Sequence, residues 1–243
     1  MFVERAYVDA EDIGSDWPFT VPAVADLARN GLEFLAPVTI VVGDNGSGKS
    51  TLVEAIAEGF GIDARGGRAA QQSRRPDEVT SALGEVLELE TTPRGSRMLR
   101  GPRLHKRGFF LRAETAFDMA EHLGGVPGFW DENTAEMSHG EGFLAMFGAM
   151  LAEPGFYVLD EPESALSFTA CLQLIALMSE LGEEGAQIVC ATHSPILAST
   201  PGADIVEVGE HGLRRSTWDE LELVQHWRRY LDDPNSYLRH LFD

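Results

Sequence analysis

Several kinds of residue and segment are scarce in this 243-residue chain, and each scarcity excludes a class of protein. The two cysteines, Cys171 and Cys190, offer neither a disulfide framework nor a paired metal-binding spacing. No apolar run approaches the roughly 20 residues that a membrane-spanning helix needs. The first residues show neither the basic leader nor the apolar stretch of a secretory signal. We therefore expect a cytoplasmic protein without membrane insertion.

Positive charge is scarce too, with Lys+Arg 19 against Asp+Glu 39 and a formal net charge of −20. Because phosphate contacts need lysine and arginine, this composition argues against a general nucleic-acid binder. The exception is the segment 65–112, which carries eleven basic and five acidic residues. A DNA or protein partner would approach through this basic segment. The alternative is a solvated, arginine-rich loop that balances an acidic body.

The hydrophobic fraction of 44% with 24% charged residues is typical of a globular protein. Apolar strands are predicted at 39–42, 156–159 and 187–191, and helical stretches such as 50–60 alternate with them. This alternation predicts an α/β fold with a mostly parallel central sheet flanked by helices. The alternating residues 86–90, followed by turn-forming residues 93–96, predict a hairpin and so an additional antiparallel β element.

No linker or composition shift divides the chain, so we expect a single domain over residues 1–243. Its N-terminal part extends to about residue 112 and contains the first predicted strands. A second part covers about 113–210, and a helical tail follows over about 217–243. The sequence does not decide whether that tail covers the sheet or binds a partner.

The strongest local signal is the octapeptide at 43–50, which fits the phosphate-loop pattern G-x-x-x-x-G-K-[ST]. Its glycines allow backbone N–H groups to turn toward phosphate oxygens, and the following helix adds the positive end of its dipole. Lys49 is expected to reach the β- and γ-phosphates, and Ser50 to bind Mg²⁺. The predicted nucleotide-binding residues are Asn45, Gly46, Ser47, Gly48, Lys49, Ser50 and Thr51.

Two carboxylates, Asp160 and Glu161, directly follow the apolar strand 156–159. Ligands of open α/β sheets bind at the carboxyl ends of strands. Asp160 is therefore expected to hold Mg²⁺ through water, and Glu161 to orient and deprotonate an attacking water. The alternative is a pair of ordinary acidic residues in a turn.

Two weaker motifs complete the set. His193 follows the strand 187–191, where it is either a packing residue or a sensor of the γ-phosphate. The run Ser138, His139, Gly140 and Glu141 opens an apolar helix predicted at 143–151, which is the pattern of a second anion site at a helix N-terminus.

These four motifs, in this order, resemble the ATP-binding-cassette (ABC) class of ATPases over roughly residues 15–210. Walker A corresponds to 43–50, the signature loop to 138–141, Walker B to 156–161 and the switch histidine to His193. The chain looks most similar to small soluble bacterial ATPases related to the chromosome-maintenance, recombination and overcoming-lysogenization-defect ATPases.

The resemblance implies an Mg²⁺-dependent ATPase with Glu161 and His193 as catalytic residues. It also implies an ATP-dependent, head-to-tail homodimer, because the signature loop of one subunit completes the site of the other. Ser138, His139, Gly140 and Glu141 would then act in trans on ATP held by Lys49. We expect such a dimer to switch a macromolecular partner, possibly DNA.

The sequence also departs from the family pattern. Glu114 stands where cassettes usually carry a glutamine, His139 where many carry glycine, and Ser167 where an aspartate is usual. Glu114 is a candidate for the magnesium shell, and the adenine-stacking aromatic would be Trp17 or Phe19. Only about 90 residues separate Lys49 from Ser138, which leaves no room for long coiled-coil arms.

Two other functions fit the same phosphate loop. One is the nucleotide-binding subunit of an ABC transporter whose membrane protein is a separate chain. Glu114 and the lack of an obvious helical subdomain at 115–137 count against it. The other is a small-molecule kinase, which has no need of the residues at 138–141 or of Glu161 beside Asp160.

Overall fold

A computed structural model describes residues 1–62, 67–68, 80–101, 107–112, 147–148, 151 and 153–239. The strands are β1 (Val3–Val8), β2 (Leu32–Glu33), β3 (Val38–Val42), β4 (Gly67–Arg68), β5 (Leu87–Thr91), β6 (Gly108–Arg112), β7 (Phe156–Asp160), β8 (Gln187–Thr192), β9 (Asp204–Gly209) and β10 (Gly212–Ser216). The helices are α1 (Pro22–Asn30), α2 (Lys49–Gly59), α3 (Pro93–Arg100), α4 (Phe168–Glu183), α5 (Glu222–Asp232) and α6 (Asn235–Leu238).

The larger of two sheets has the strand order β10-β9-β3-β8-β7-β6-β4. Its five inner strands are parallel to one another. The edge strands β10 and β4 are antiparallel to the strands they pair with. A smaller antiparallel sheet has the order β2-β1-β5. The predicted α/β fold, with a mostly parallel sheet and an antiparallel element, is therefore confirmed.

Strands β3, β7 and β8 are buried along their whole length, as expected of parallel strands that are covered on both faces. On one face, Val41 packs in a core with Ile56 and Phe60 of the α2 region, and α1 and the small sheet join it. On the other face, Ile40 packs in a second core with Leu174 of α4. The sheet thus separates two apolar cores.

The predicted hairpin at 86–96 is wrong. Strand β5 pairs with β1, where Tyr7 lies opposite Glu88, and the residues after it form helix α3. Thr92 caps this helix by accepting a hydrogen bond on Oγ1 from the Gly95 N–H at 3.0 Å, and Pro93 opens it. A threonine N-cap followed by proline at the first helical position is a helix start, and here it prevails over the turn-forming residues.

The predicted strands at 39–42, 156–159 and 187–191 are each present with bounds that differ by one residue. The predicted helix at 50–60 runs from Lys49 to Gly59. The C-terminal segment is helical in α5 and α6, as expected. Most of the helix predicted at 143–151 lies outside the described residues.

Gln187 joins the two sheets from a fully buried position at the start of β8. Its Oε1 accepts hydrogen bonds from the Phe2 N–H at 2.7 Å and the Val3 N–H at 2.9 Å. Its Nε2 donates to the Val3 carbonyl at 2.9 Å. One side chain therefore satisfies three backbone groups at the start of β1.

Replacing this side chain should destabilise the fold. Gln187→Ala is expected to lower the free energy of unfolding by about 3 kcal/mol, because buried backbone groups lose their partners. Urea unfolding followed by circular dichroism measures the change. The control is Gln225→Ala, at an exposed glutamine of α5, with an expected change below about 0.5 kcal/mol. Equal losses in both variants would contradict this role of Gln187.

Candidate functional site

The phosphate loop connects β3 to α2 and has the backbone that its glycines predict. Gly46 and Gly48 have φ angles of +80° and +100°, which residues other than glycine rarely adopt. A Cβ atom at Gly48 would also lie 2.7 Å from Cγ1 of Val21. The loop therefore delivers its N–H groups and the N-terminus of α2 to one place, which is the arrangement that binds phosphate.

Lys49, the first residue of α2, is only 3% exposed. Its Nζ donates a hydrogen bond to the Asp44 carbonyl at 2.9 Å and lies 3.5 Å from Oε1 of Glu161. The ammonium group thus contacts the backbone of the phosphate loop and faces the residue that follows β7.

Ser50 and Asp160 meet across the gap between α2 and β7, where Ser50 Oγ donates to Oδ1 of Asp160 at 3.1 Å. Asp160 is 3% exposed, and this burial raises its pKa to about 6. A nearby cation would favour the ionised form. A hydroxyl and a carboxylate are the hard oxygen donors that Mg²⁺ prefers, so the pair fits a magnesium ion.

Magnesium here would also need oxygens from a nucleotide or water. Among the described residues, no group of three His, Cys, Asp or Glu side chains could hold a metal ion by itself. This agrees with magnesium sites that use one or two protein groups together with substrate phosphates.

Arg112 is a neighbour of this pair that the sequence analysis treats only as part of the basic segment. It ends β6 directly opposite Asp160, with Nε 3.7 Å from Oδ2 of Asp160. Its Nη1 lies 2.6 Å from Oε1 of Glu54 on α2. Arg112 lowers the pKa of Asp160, but by less than burial raises it. The contact between Arg112 and Asp160 depends on the pairing of β6 with β7, which no local sequence pattern shows.

Glu161 has a left-handed backbone, with φ 49° and ψ 48°. Such a conformation is costly for a residue with a side chain, and it is typical of functional turns. Oε1 of Glu161 lies 3.5 Å from both Lys49 Nζ and His193 Nδ1. The structure therefore brings Lys49, Glu161 and His193 together.

Glu163 belongs to none of the predicted motifs. Its Oε1 accepts hydrogen bonds from the His193 N–H at 2.7 Å and the Thr192 hydroxyl at 2.5 Å. The same oxygen lies 3.4 Å from His193 Nδ1. Glu163 thus holds the backbone of the switch histidine against the turn after β7. The only feature of the sequence that could have identified Glu163 is its position as the third acidic residue after the apolar run 156–159.

The remaining predicted residues fall into two groups. Trp17 is 66% exposed, whereas Phe19 is partly buried and packs against the core on the α2 side of the sheet. An adenine contact of either residue stays a prediction. The predicted residues that lie outside the described part of the chain are Glu114, Ser138, His139, Gly140 and Glu141.

Most arginines of the basic segment with described side chains bind groups of the protein itself. Arg94 donates to the Gly185 carbonyl, Arg97 to the Pro93 carbonyl, and Arg107 pairs with Glu153. Arg112 binds Glu54, as described above. These contacts join the described part of the segment to the rest of the protein, and a DNA contact there stays a prediction.

Two family models match parts of the chain. One is described as "AAA domain, putative AbiEii toxin, Type IV TA system" and matches residues 132–199. The other is described as "AAA domain" and matches residues 28–90. The first contains Walker B and the switch histidine, and the second contains the phosphate loop.

Among curated relatives, a putative ABC transporter ATP-binding protein of Pyrococcus furiosus is 29% identical over 82% of this chain and 85% of its own. The chain spans about half, 46%, of the arabinose import ATP-binding protein of Pectobacterium atrosepticum, at 26% identity.

Solved structures show the same fold. The chain is similar to cbiO1 of Clostridium perfringens, part of an ABC transporter complex, with a TM-score of 0.52, 18% identity and 98% of both chains covered. It is also similar to the SMC head domain of Thermotoga maritima, with a TM-score of 0.51, 17% identity and 89% and 99% of the two chains covered. The chain therefore has the P-loop fold that these ABC-type ATPases share. A special closeness to the chromosome-maintenance group is not confirmed.

The buried carboxylate of Asp160 should make stability depend on pH. Its pKa rises from 3.8 to about 6 on folding, so ionisation opposes folding above pH 6, and this penalty disappears as the pH falls toward 4. Asp160→Asn is therefore expected to raise the free energy of unfolding of the nucleotide-free protein by about 3 kcal/mol at pH 8 and by little at pH 4.

Urea unfolding of both proteins at pH 4, 6 and 8, without Mg²⁺, measures this difference. Asp9→Asn, at an exposed aspartate, is the matched control and should change stability by less than about 0.5 kcal/mol at each pH. A stabilisation by Asp160→Asn that is the same at pH 4 and pH 8 would contradict the explanation.

Proposed function

We propose that the protein binds ATP with Mg²⁺, hydrolyses it to ADP and phosphate, and works as an ATP-gated, head-to-tail dimer that switches a macromolecular partner. The observation that carries the proposal is the convergence of Lys49, Glu161 and His193 at the mouth of the phosphate loop. The buried pair of Ser50 and Asp160 lies beside them.

The loop amides and Lys49 would bind the β- and γ-phosphates, and Ser50 and Asp160 would hold the magnesium, the latter through water. Bound magnesium neutralises charge that develops on the phosphate oxygens. The burial of Lys49 and Asp160 lowers the local dielectric constant, which strengthens the electrostatic part of these interactions.

Glu161 would accept the proton of an attacking water. Its carboxylate is 28% exposed and faces the Lys49 ammonium at 3.5 Å. His193 turns Nδ1 toward Glu161 and Glu163, which leaves Nε2 for the γ-phosphate. Glu163 acts as the positioning residue of this histidine.

A single subunit is proposed to hold only half of the site. Ser138, His139, Gly140 and Glu141 of a second copy would cap the γ-phosphate bound to Lys49 of the first. Hydrogen bonds to charged groups contribute about 1.5–3 kcal/mol each, so several across two sites can convert a weak dimer into a firm one. Hydrolysis would then release the pair.

A second candidate is the nucleotide-binding subunit of an ABC transporter, because several matching relatives are named as ATP-binding proteins of transporters. Within the part of the chain that the structure describes, no helix is both long and apolar enough to cross a membrane. This candidate assigns the membrane protein to a separate chain. Reproducible co-purification with one membrane protein would favour this candidate over the first.

Glu161→Gln is expected to slow ATP hydrolysis by about 10²–10⁴-fold, because the general base is lost while the shape of the site is kept. Phosphate release measures the rate, and calorimetry should show that ATP still binds. Glu184→Gln, at an exposed glutamate, should leave the rate unchanged. An unchanged rate in Glu161→Gln would remove this residue from the proposed role.

The same variant tests the dimer. By light scattering, Glu161→Gln should have the 26.6 kDa mass of one chain without nucleotide and twice that mass with Mg-ATP. Adding Ser138→Arg should keep ATP binding but prevent the shift, because the signature loop is then blocked. A mass that ATP does not change, although calorimetry shows binding, would mean that self-association is not the switch.

A further inference from the structure

The positions of the catalytic groups define the direction in which a bound nucleotide lies. Asp160 and Glu161 end β7, and His193 follows β8; both strands lie on the same side of β3. Strand β9 lies on the other side of β3. If the γ-phosphate faces Glu161 and His193, the rest of the nucleotide extends across the loop toward the carboxyl end of β9.

A cavity of about 990 Å³ lies in that direction. The phosphate loop, at residues 43–47, forms one wall, and the turn between β9 and β10 forms another. Helices α5 and α6 supply the remaining wall through His226, Trp227 and Tyr237. A cavity of this size can hold a nucleoside, and it is continuous with the loop that would bind the phosphates.

The wall formed by the helices is aromatic. Trp227 is a large apolar residue, yet it is 46% exposed and lines the cavity. Its ring is therefore accessible to a ligand. His226 Nδ1 and the Tyr237 hydroxyl are 2.6 Å apart, and their rings meet at 67° with centroids 5.8 Å apart. A fixed aromatic wall with an exposed indole suits the stacking of a flat base.

The other polar side chains that line the cavity are three glutamates and His211. Glu207, Glu210 and Glu222 line the cavity, and Glu207 is already bound to Arg214 and to the Glu222 N–H. Carboxylates repel phosphate but accept hydrogen bonds from sugar hydroxyls and base amino groups. The cavity therefore suits the uncharged end of a nucleotide and not its phosphates.

We propose that this cavity binds the nucleoside part of ATP and that Trp227 stacks on the adenine, in place of Trp17 or Phe19. Neither Trp17 nor Phe19 lines the cavity. The inference rests on the proposed ATP binding and extends it, since it makes the C-terminal helices part of the nucleotide site. It also gives these helices a role that motif comparison does not supply.

Calorimetric titration with ATP and with inorganic tripolyphosphate, each with Mg²⁺, separates the base from the phosphates. Trp227→Ala is expected to weaken ATP binding about tenfold and to leave tripolyphosphate binding unchanged. Trp227→Phe should recover most of the loss, because it keeps a stacking ring. Leu231→Ala, at an exposed leucine of the same helix, is the matched control and should bind both ligands as the wild type does.

Retained tripolyphosphate binding shows that a variant is folded at the loop. Trp227→Ala that binds ATP with wild-type affinity would overturn the inference, as would a loss of ATP affinity in Trp17→Ala alone. An equal loss for both ligands in Trp227→Ala would also overturn it, because the effect would then lie in the loop. A wild-type protein that binds neither ligand would instead refute the proposed function itself.

Discussion

The parallel pairing of β3, β8 and β7 is the constraint on which the candidate site depends. In register, Val42 lies opposite Thr192, and Asp160 lies opposite Ala191. The phosphate loop, the switch histidine and the two carboxylates therefore leave the sheet at the same edge. Because all three strands are fully buried, the two apolar cores hold that alignment. A shift of one residue in this register would separate the charged groups.

Burial and charge act against each other at this edge. Asp160 is buried enough for its pKa to rise to about 6, although Ser50 and Arg112 lower it. Lys49 is equally buried and is held by the Asp44 carbonyl and Glu161. Buried charges with incomplete partners are costly, and a ligand with its own charges relieves that cost. The site is therefore arranged for a polyanion with a cation.

The C-terminal helices lie on the opposite side of β3 from Asp160, Glu161 and His193. Val224 of α5 packs into the core on the α4 side of the sheet, and this fixes the helix beside the phosphate loop. The exposed face of the same helix then turns Trp227 into the cavity. One helix thus contributes to the core through one residue and to a candidate ligand pocket through another.

The sequence by itself determined the fold class and the residues of the phosphate loop, because these depend on local backbone chemistry and on strand hydrophobicity. Gly46, Gly48 and Lys49 could be identified from spacing alone. The prediction of a turn at 93–96 is wrong because the Thr92 cap and Pro93 favour a helix. Only the tertiary structure decided that Arg112 faces Asp160 and that Glu163 holds His193, since these contacts join elements far apart in the chain. Strand pairing and packing, which no local pattern encodes, set such distances.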